Sequence, residues 1–250
     1  MKKLFIYMVS AVLGMGSLSS CKSVMQETAG VVEVNGISLA YIVEGEGKPV
    51  ILLHGNGGSH KDLETTTHQL AKAGYKVYVI DSRGQGENKP LSEYHYKDMA
   101  EDMYQFIDKL GIVKPAIFGW SDGGNNALLL ELMHPNTCSL MATSGANLFP
   151  KGLLPEEYEN MVKEKNPSPL LKMMIDEPDM TFEDMKNIQV PVLVMAGEND
   201  AIQRSHTEQI ASNIPKGKVM IIPGEDHISY ILHNKKVGKI LLKYFKENGY

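Results

Sequence analysis

The sequence predicts an α/β protein built on a mostly parallel, doubly wound sheet that carries a short helical insertion. Two observations lead there. Five runs, "KVYVID", "PAIFGW", "SLMATS", "VPVLVMAG" and "KVMIIPG", are continuous in β-branched and apolar residues, as expected of strands buried on both faces of a parallel sheet. Amphipathic helical stretches lie between them, and strands alternating with helices of about 10–15 residues imply parallel crossovers. At 250 residues and 43% hydrophobic content, the chain suits one domain with a sizeable core.

At the amino terminus, "MKK" followed by "LFIYMVSAVLGMG" has the basic start and short apolar stretch of a secretory signal, over residues 1–20. "LSSC", Leu18 to Cys21, resembles the lipobox of bacterial lipoproteins. That resemblance implies lipid on Cys21, residues 21–30 as a tether, and anchoring at the membrane of a bacterial cell envelope. The folded domain is expected over 31–250. "VVEV" and "ISLAYIV" read as a hairpin turning at Asn35-Gly36, and "PVILLHG" as the next strand. Residues 97–110 place Met99, Met103, Phe106 and Leu110 on one helical face, ending near Gly111. Val237, Ile240, Leu241, Tyr244 and Phe245 repeat the pattern over 236–245. "ALLLELM", after Ser121, is apolar nearly all round and suits a helix packed deep against the sheet.

From 148 to 180 no strand-like run occurs. "LPEEYENMVKE" and "SPLLKMMID" read as two short helices separated by Pro167 and Pro169, forming an insertion over the carboxyl ends of the strands. Met161, Met173, Met174 and Met180 either roof a pocket or fasten the insertion to the body. Thr181 with Asp184 marks a helix start before "VPVLVMAG".

Charge and cysteine content narrow the function. A formal charge of −5 with no basic block excludes a nucleic-acid surface, which needs a clustered basic footprint. With Cys21 lipidated, Cys138 has no intramolecular partner, so no disulfide is expected and Cys138 reads as a small buried residue.

The chemistry is sought around "GWSDGG", residues 119–124. A strand before it and a buried helix after it suit a strained turn that exposes Ser121 above the sheet. The glycines relieve crowding, and the helix N-terminus faces a developing oxyanion. A serine hydroxyl needs a base. His227, in "PGEDHISY" just past the last strand, is the best placed of eight histidines. Asp200, after the preceding strand, would orient it, with Glu198, Glu225 and Asp226 as competitors. A second oxyanion N–H should come from "HGNGGS", from Asn56 or Gly57, beside that of Asp122. Ser59 would cap the following helix, and His54 would bond locally. The other histidines show no metal-ligand spacing, and no cofactor or metal is expected. Asp122 has two readings: a first-turn carboxylate favoured by the helix dipole, or a substrate contact that attracts an amine. Trp120, on the other side of the serine, is a second expected substrate contact.

Together, "LLHGNGG", "VIDSRGQGENKP", "IFGWSDGGNNALLL" and "VPVLVMAGENDAI" with "MIIPGEDH" resemble the α/β-hydrolase superfamily across about residues 31–250. "GWSDGG" followed by "TSGAN" is similar to its valacyclovir hydrolase branch. Asn88 departs from the serine usual in relatives, at a position outside the triad. A serine nucleophile disfavours haloalkane dehalogenase and epoxide hydrolase chemistry. The resemblance implies acyl transfer to water from small carboxylic esters, including aminoacyl esters. C–C bond, lactone or amide hydrolysis, or perhydrolysis, are alternatives on the same triad, and a non-catalytic binding member of the fold is a further one.

Overall fold

The computed structural model describes residues 27–250, so the signal at 1–20, Cys21 and residues 22–26 lie outside the described residues. Strand β1 (Thr28–Val34) pairs antiparallel with β2 (Ile37–Glu44). Their turn uses left-handed φ angles of 42° at Asn35 and 78° at Gly36, the geometry that Asn-Gly favours. The strand begins before residue 31 and corrects the extent of the tether: Thr28, Ala29 and Gly30 pair with Val43, Ile42 and Tyr41. At Gly30, read as tether composition, a Cβ would meet the Tyr41 ring, which would have to move aside.

The remaining strands are β3 (Lys48–Leu53), β4 (Tyr75–Ile80), β5 (Ala116–Trp120), β6 (Leu140–Ser144), β7 (Val192–Asn199) and β8 (Gly217–Asp226). The sheet order is β1-β2-β4-β3-β5-β6-β7-β8. The pairs from β4 through β8 are all parallel, whereas β2 joins β4 antiparallel. Chain order reverses around β3, with β4 on one side and β5 on the other, so a crevice opens beyond the carboxyl ends of these strands.

Both sheet faces are covered. Helices α1 (Glu64–Lys72) and α7 (Lys236–Glu247) contribute Leu70, Val237, Leu241 and Phe245 to one apolar cluster. On the other face, α2 (Tyr96–Lys109), α3 (Asp122–Met133) and α6 (Arg204–Asn213) contribute Phe106, Leu128 and Ile210 to a second. Residues 122–131 of α3 are all buried, as the nearly all-apolar run "ALLLELM" predicts for its second half, and the burial extends to the polar Asp122, Asn125, Asn126 and Glu131.

The insertion holds α4 (Pro155–Val162) and α5 (Pro169–Asp176). Met173 and Met180 sit in the second core cluster and fasten it to the body, while Met161 and Met174 are half-buried. Thr181 and Asp184 do exchange the capping hydrogen bonds, but a single 3₁₀ turn, Asp184–Asn187, follows instead of a longer helix. At the root of the insertion, Met180 N–H donates to Leu148 O at 2.9 Å, and Leu148 N–H donates to His206 Nε2 at 3.0 Å.

Burial among Phe149 and Phe182 pushes the His206 pKa from 6.5 down to about 4. Its neutral ring accepts the Leu148 N–H. Between pH 6.5 and 4 the unfolded chain therefore binds a proton that the folded one refuses, and stability falls as pH falls. The difference in unfolding free energy between pH 7 and 5 should shrink by about 1–2 kcal/mol in His206→Gln, measured by urea titration at both pH values. Equal slopes in the two proteins would contradict this.

Candidate active site

Strand β5 ends at Trp120 and α3 starts at Asp122, leaving Ser121 as a one-residue corner with φ 54° and ψ −122°. So strained a corner persists only where its surroundings impose it. Ser121 N–H donates to Ser144 O at 2.7 Å, and Ser121 O accepts from Gly124 and Asn125 N–H. A Cβ at Gly119 would strike the Gly123 carbonyl, and one at Gly123 would strike that of Leu53. The glycines of the pattern are thus required by backbone passing backbone.

The imidazole comes from the turn after β8. Asp226 Oδ1 accepts N–H bonds from Ile228 and Ser229, both at 2.8 Å, and Asp226 N–H donates to Ser229 Oγ at 3.0 Å. This knot fixes the backbone on both sides of His227. The Trp120 indole N–H then donates to the His227 carbonyl at 2.9 Å. Beside the ring, Gly145 (φ 61°) leaves space that a Cβ would take from Cε1 and Nδ1 of His227.

His227 Nε2 lies 3.0 Å from Ser121 Oγ, and its Nδ1 lies 2.6 Å from Asp200 Oδ1. Asp200 is 4% exposed and also accepts from Gly197 N–H at 2.9 Å and Ile202 N–H at 3.1 Å. A register shift between Gly197 and Asn199 marks where β7 bends toward this position. A carboxylate only accepts, so Nδ1 carries the proton and Nε2 is free to accept from the serine hydroxyl. Such a chain can take the serine proton as the oxygen attacks and keep the resulting imidazolium oriented.

The competing carboxylates have other partners. Glu198 accepts from Gly224 N–H at 2.7 Å, Glu225 pairs with Lys236 and the Ser229 hydroxyl, and Asp226 shapes its own turn. His54 is 1% exposed, with Nδ1 2.7 Å from Gly55 O and Nε2 accepting from Ser82 N–H at 2.9 Å. Burial lowers its pKa, so it is a neutral local fastener. Ser59 caps the 3₁₀ turn at His60–Leu63 in a capping box with Asp62.

Three expectations are corrected. Gly57 N–H donates to Gln85 Oε1 at 2.6 Å, so it is not available to an oxyanion. Among the described residues, the N–H groups of Asn56 and Asp122 have no acceptor. Trp120 is buried, and its one polar hydrogen is engaged by the His227 carbonyl, which makes it a support of the base with no polar contact left to offer a substrate. Asp122 is 4% exposed; its Oδ1 accepts the Tyr96 hydroxyl at 2.6 Å and its Oδ2 accepts Asn56 Nδ2–H at 2.8 Å. Burial raises its carboxyl pKa, and both oxygens are already engaged by protein donors.

Tyr96, Gln85 and Gly145 are new members of the site. Gln85 lies in the "DSRGQGEN" turn and Gly145 in "TSGAN", segments that marked the resemblance without pointing to these contacts. Tyr96 opens a helix whose sequence signals only amphipathicity.

Residues 48–174 match the family profile described as alpha/beta hydrolase fold. The chain is an α/β-hydrolase. Among α/β-hydrolase relatives, a Mycobacterium tuberculosis protein that carries the name non-heme bromoperoxidase BpoC is 26% identical over 84% of this chain and 98% of its own. Human serine hydrolase BPHL is 26% identical over 80% of each chain. A thermophilic esterase from Thermogutta terrifontis superposes with a TM-score of 0.73 over 88% of this chain and 99% of its own, at 20% identity; at that identity the likeness is one of fold.

Proposed function

We propose that this α/β-hydrolase is a serine hydrolase that cleaves small carboxylic esters through an acyl-serine. The observation that carries the reading is the unbroken chain from Ser121 Oγ to His227 Nε2 at 3.0 Å and from His227 Nδ1 to Asp200 at 2.6 Å, mounted on a strained corner. His227 takes the proton of Ser121 as Oγ adds to the ester carbonyl. The N–H groups of Asn56 and Asp122 receive the oxyanion, and the imidazolium returns the proton to the departing alkoxide. Water, activated by the same ring, then releases the acid.

Neutral acyl groups fit best, because burial and two hydrogen bonds occupy the Asp122 carboxylate that an aminoacyl ester would need. The short insertion favours compact acyl chains. The name of the bromoperoxidase relative supports a second reading, perhydrolysis, in which hydrogen peroxide replaces water at the same acyl-serine. The lipobox-like "LSSC" supports placing the enzyme at the bacterial envelope, with Cys21 lipidated.

A panel of p-nitrophenyl esters tests the reading. We expect acetate and butyrate to be turned over, with kcat/KM falling for octanoate and decanoate, and an alanyl ester to show no advantage over its propionyl analogue. No turnover of any ester would contradict the proposal, and a tenfold or larger preference for the aminoacyl ester would contradict the neutral-acyl part.

A further inference from the structure

Asp122 presents a physical difficulty. A carboxylate needing only the favourable end of a helix could stay in water, yet this one is 4% exposed and adjoins the serine whose attack turns the substrate carbonyl oxygen into an oxyanion. Burying it is costly, and its negative charge opposes a second one nearby. It must therefore contribute something that depends on its being there.

What it joins is informative. Asn56 belongs to the loop after β3 and Asp122 to the first turn of α3, and these two segments carry the N–H groups without an acceptor among the described residues. The Asn56 side chain crosses between them, donating from Nδ2 to Asp122 Oδ2 at 2.8 Å. Elsewhere the loop is held independently. A Cβ at Gly55 would crowd the Ser121 Cβ and the Trp120 ring, Gly57 N–H is bound by Gln85 at 2.6 Å, and His54 bonds to Gly55 O at 2.7 Å. The peptide preceding Asn56 thus lies between fixed neighbours, and among the described residues the Asn56 side chain hydrogen-bonds to Asp122 alone.

Asp122 is itself secured from the opposite side. The Tyr96 hydroxyl donates to Oδ1 at 2.6 Å from a side chain that is 1% exposed. Tyr96 is seated in turn by Glu177, at the end of the insertion, whose Oε2 accepts the Tyr96 N–H at 3.1 Å while Oε1 lies 2.5 Å from His95 Nδ1.

We propose that Asp122, braced by the Tyr96 hydroxyl, is a positioning residue that holds Asn56 so that the main-chain N–H groups of Asn56 and Asp122 face the same oxyanion. This rests on the hydrolase reading above. The carboxylate acts through Asn56 and touches no reacting atom, and the brace leads from the insertion through Tyr96 to the oxyanion site.

Asn56→Ala and Tyr96→Phe test it, because both keep every main-chain N–H. Each is assayed for kcat and KM on p-nitrophenyl butyrate and for inhibition by butylboronic acid, whose serine adduct imitates the tetrahedral intermediate. Thermal unfolding establishes that each variant is folded. A misaligned oxyanion donor should lower kcat about 10–100-fold in Asn56→Ala, somewhat less than complete removal of a donor. The boronic acid should weaken by a similar factor, while KM stays within about threefold. Tyr96→Phe should move both quantities in the same direction by a smaller factor.

Folded variants with unchanged kcat and boronic acid affinity would overturn the proposal. So would a rise in KM with kcat unchanged, which marks a substrate contact. Labelling of wild-type Ser121 by a fluorophosphonate separates the two levels: if the wild type is unlabelled and inactive the hydrolase reading fails, and if it is labelled but the variants behave as wild type the positioning role alone fails.

Discussion

Ser121→Ala should lower ester turnover by about 10⁵–10⁶-fold while leaving the fold intact. The loss is large because the nucleophile and base act as a unit; without the hydroxyl, the 3.0 Å contact to His227 Nε2 has nothing to activate. The fold should survive because the side chain makes no other hydrogen bond among the described residues, and the φ of 54° is imposed on alanine as on serine. Circular dichroism should show a melting temperature within about 2 °C of wild type. Retention of more than a hundredth of wild-type turnover in a folded variant would contradict the role given to Ser121.

Asp200→Asn should cost about 10⁴-fold in kcat, with KM little changed. Asp200 has two functions that the substitution separates. As a packed group it accepts from Gly197 and Ile202 N–H, which an amide oxygen can partly replace. As an anion only 2.6 Å from Nδ1, it selects the tautomer whose Nε2 is bare and stabilises the imidazolium that follows. An amide that turns its NH₂ toward the ring selects the opposite tautomer, which presents a hydrogen to Ser121. A loss below about tenfold in Asp200→Asn would mean that another carboxylate orients the ring. The structure leaves little scope for that, since Glu198, Glu225 and Asp226 each have other partners.

Features legible in the sequence were those written in consecutive residues. All eight strands follow from apolar runs or from alternation around Asn35-Gly36, and the corner at Ser121 follows from glycines set between a strand and a buried helix. Chain order pointed to Asp200 and His227, with Glu198, Glu225 and Asp226 still competing, because successive parallel strands deliver their following loops to one edge of the sheet. Side-chain direction was not legible. Nothing local shows that Gln85 takes the Gly57 N–H, that the Trp120 indole turns toward the His227 backbone, or that Tyr96 reaches Asp122 from another helix. These are contacts across 26 to 107 positions of sequence, decided by packing. Gly30 misled for a related reason: a glycine paired in a strand beneath the Tyr41 ring looks the same in sequence as one in a flexible tether.

The account depends on Ser121 being an activated nucleophile. Wild-type protein treated with a fluorophosphonate probe, digested and mapped by mass spectrometry, measures this directly. One adduct is expected, on the peptide carrying Ser121, with labelling lost in His227→Ala and in protein denatured beforehand. Failure of the folded wild type to label, or an adduct on any other residue, would contradict the account.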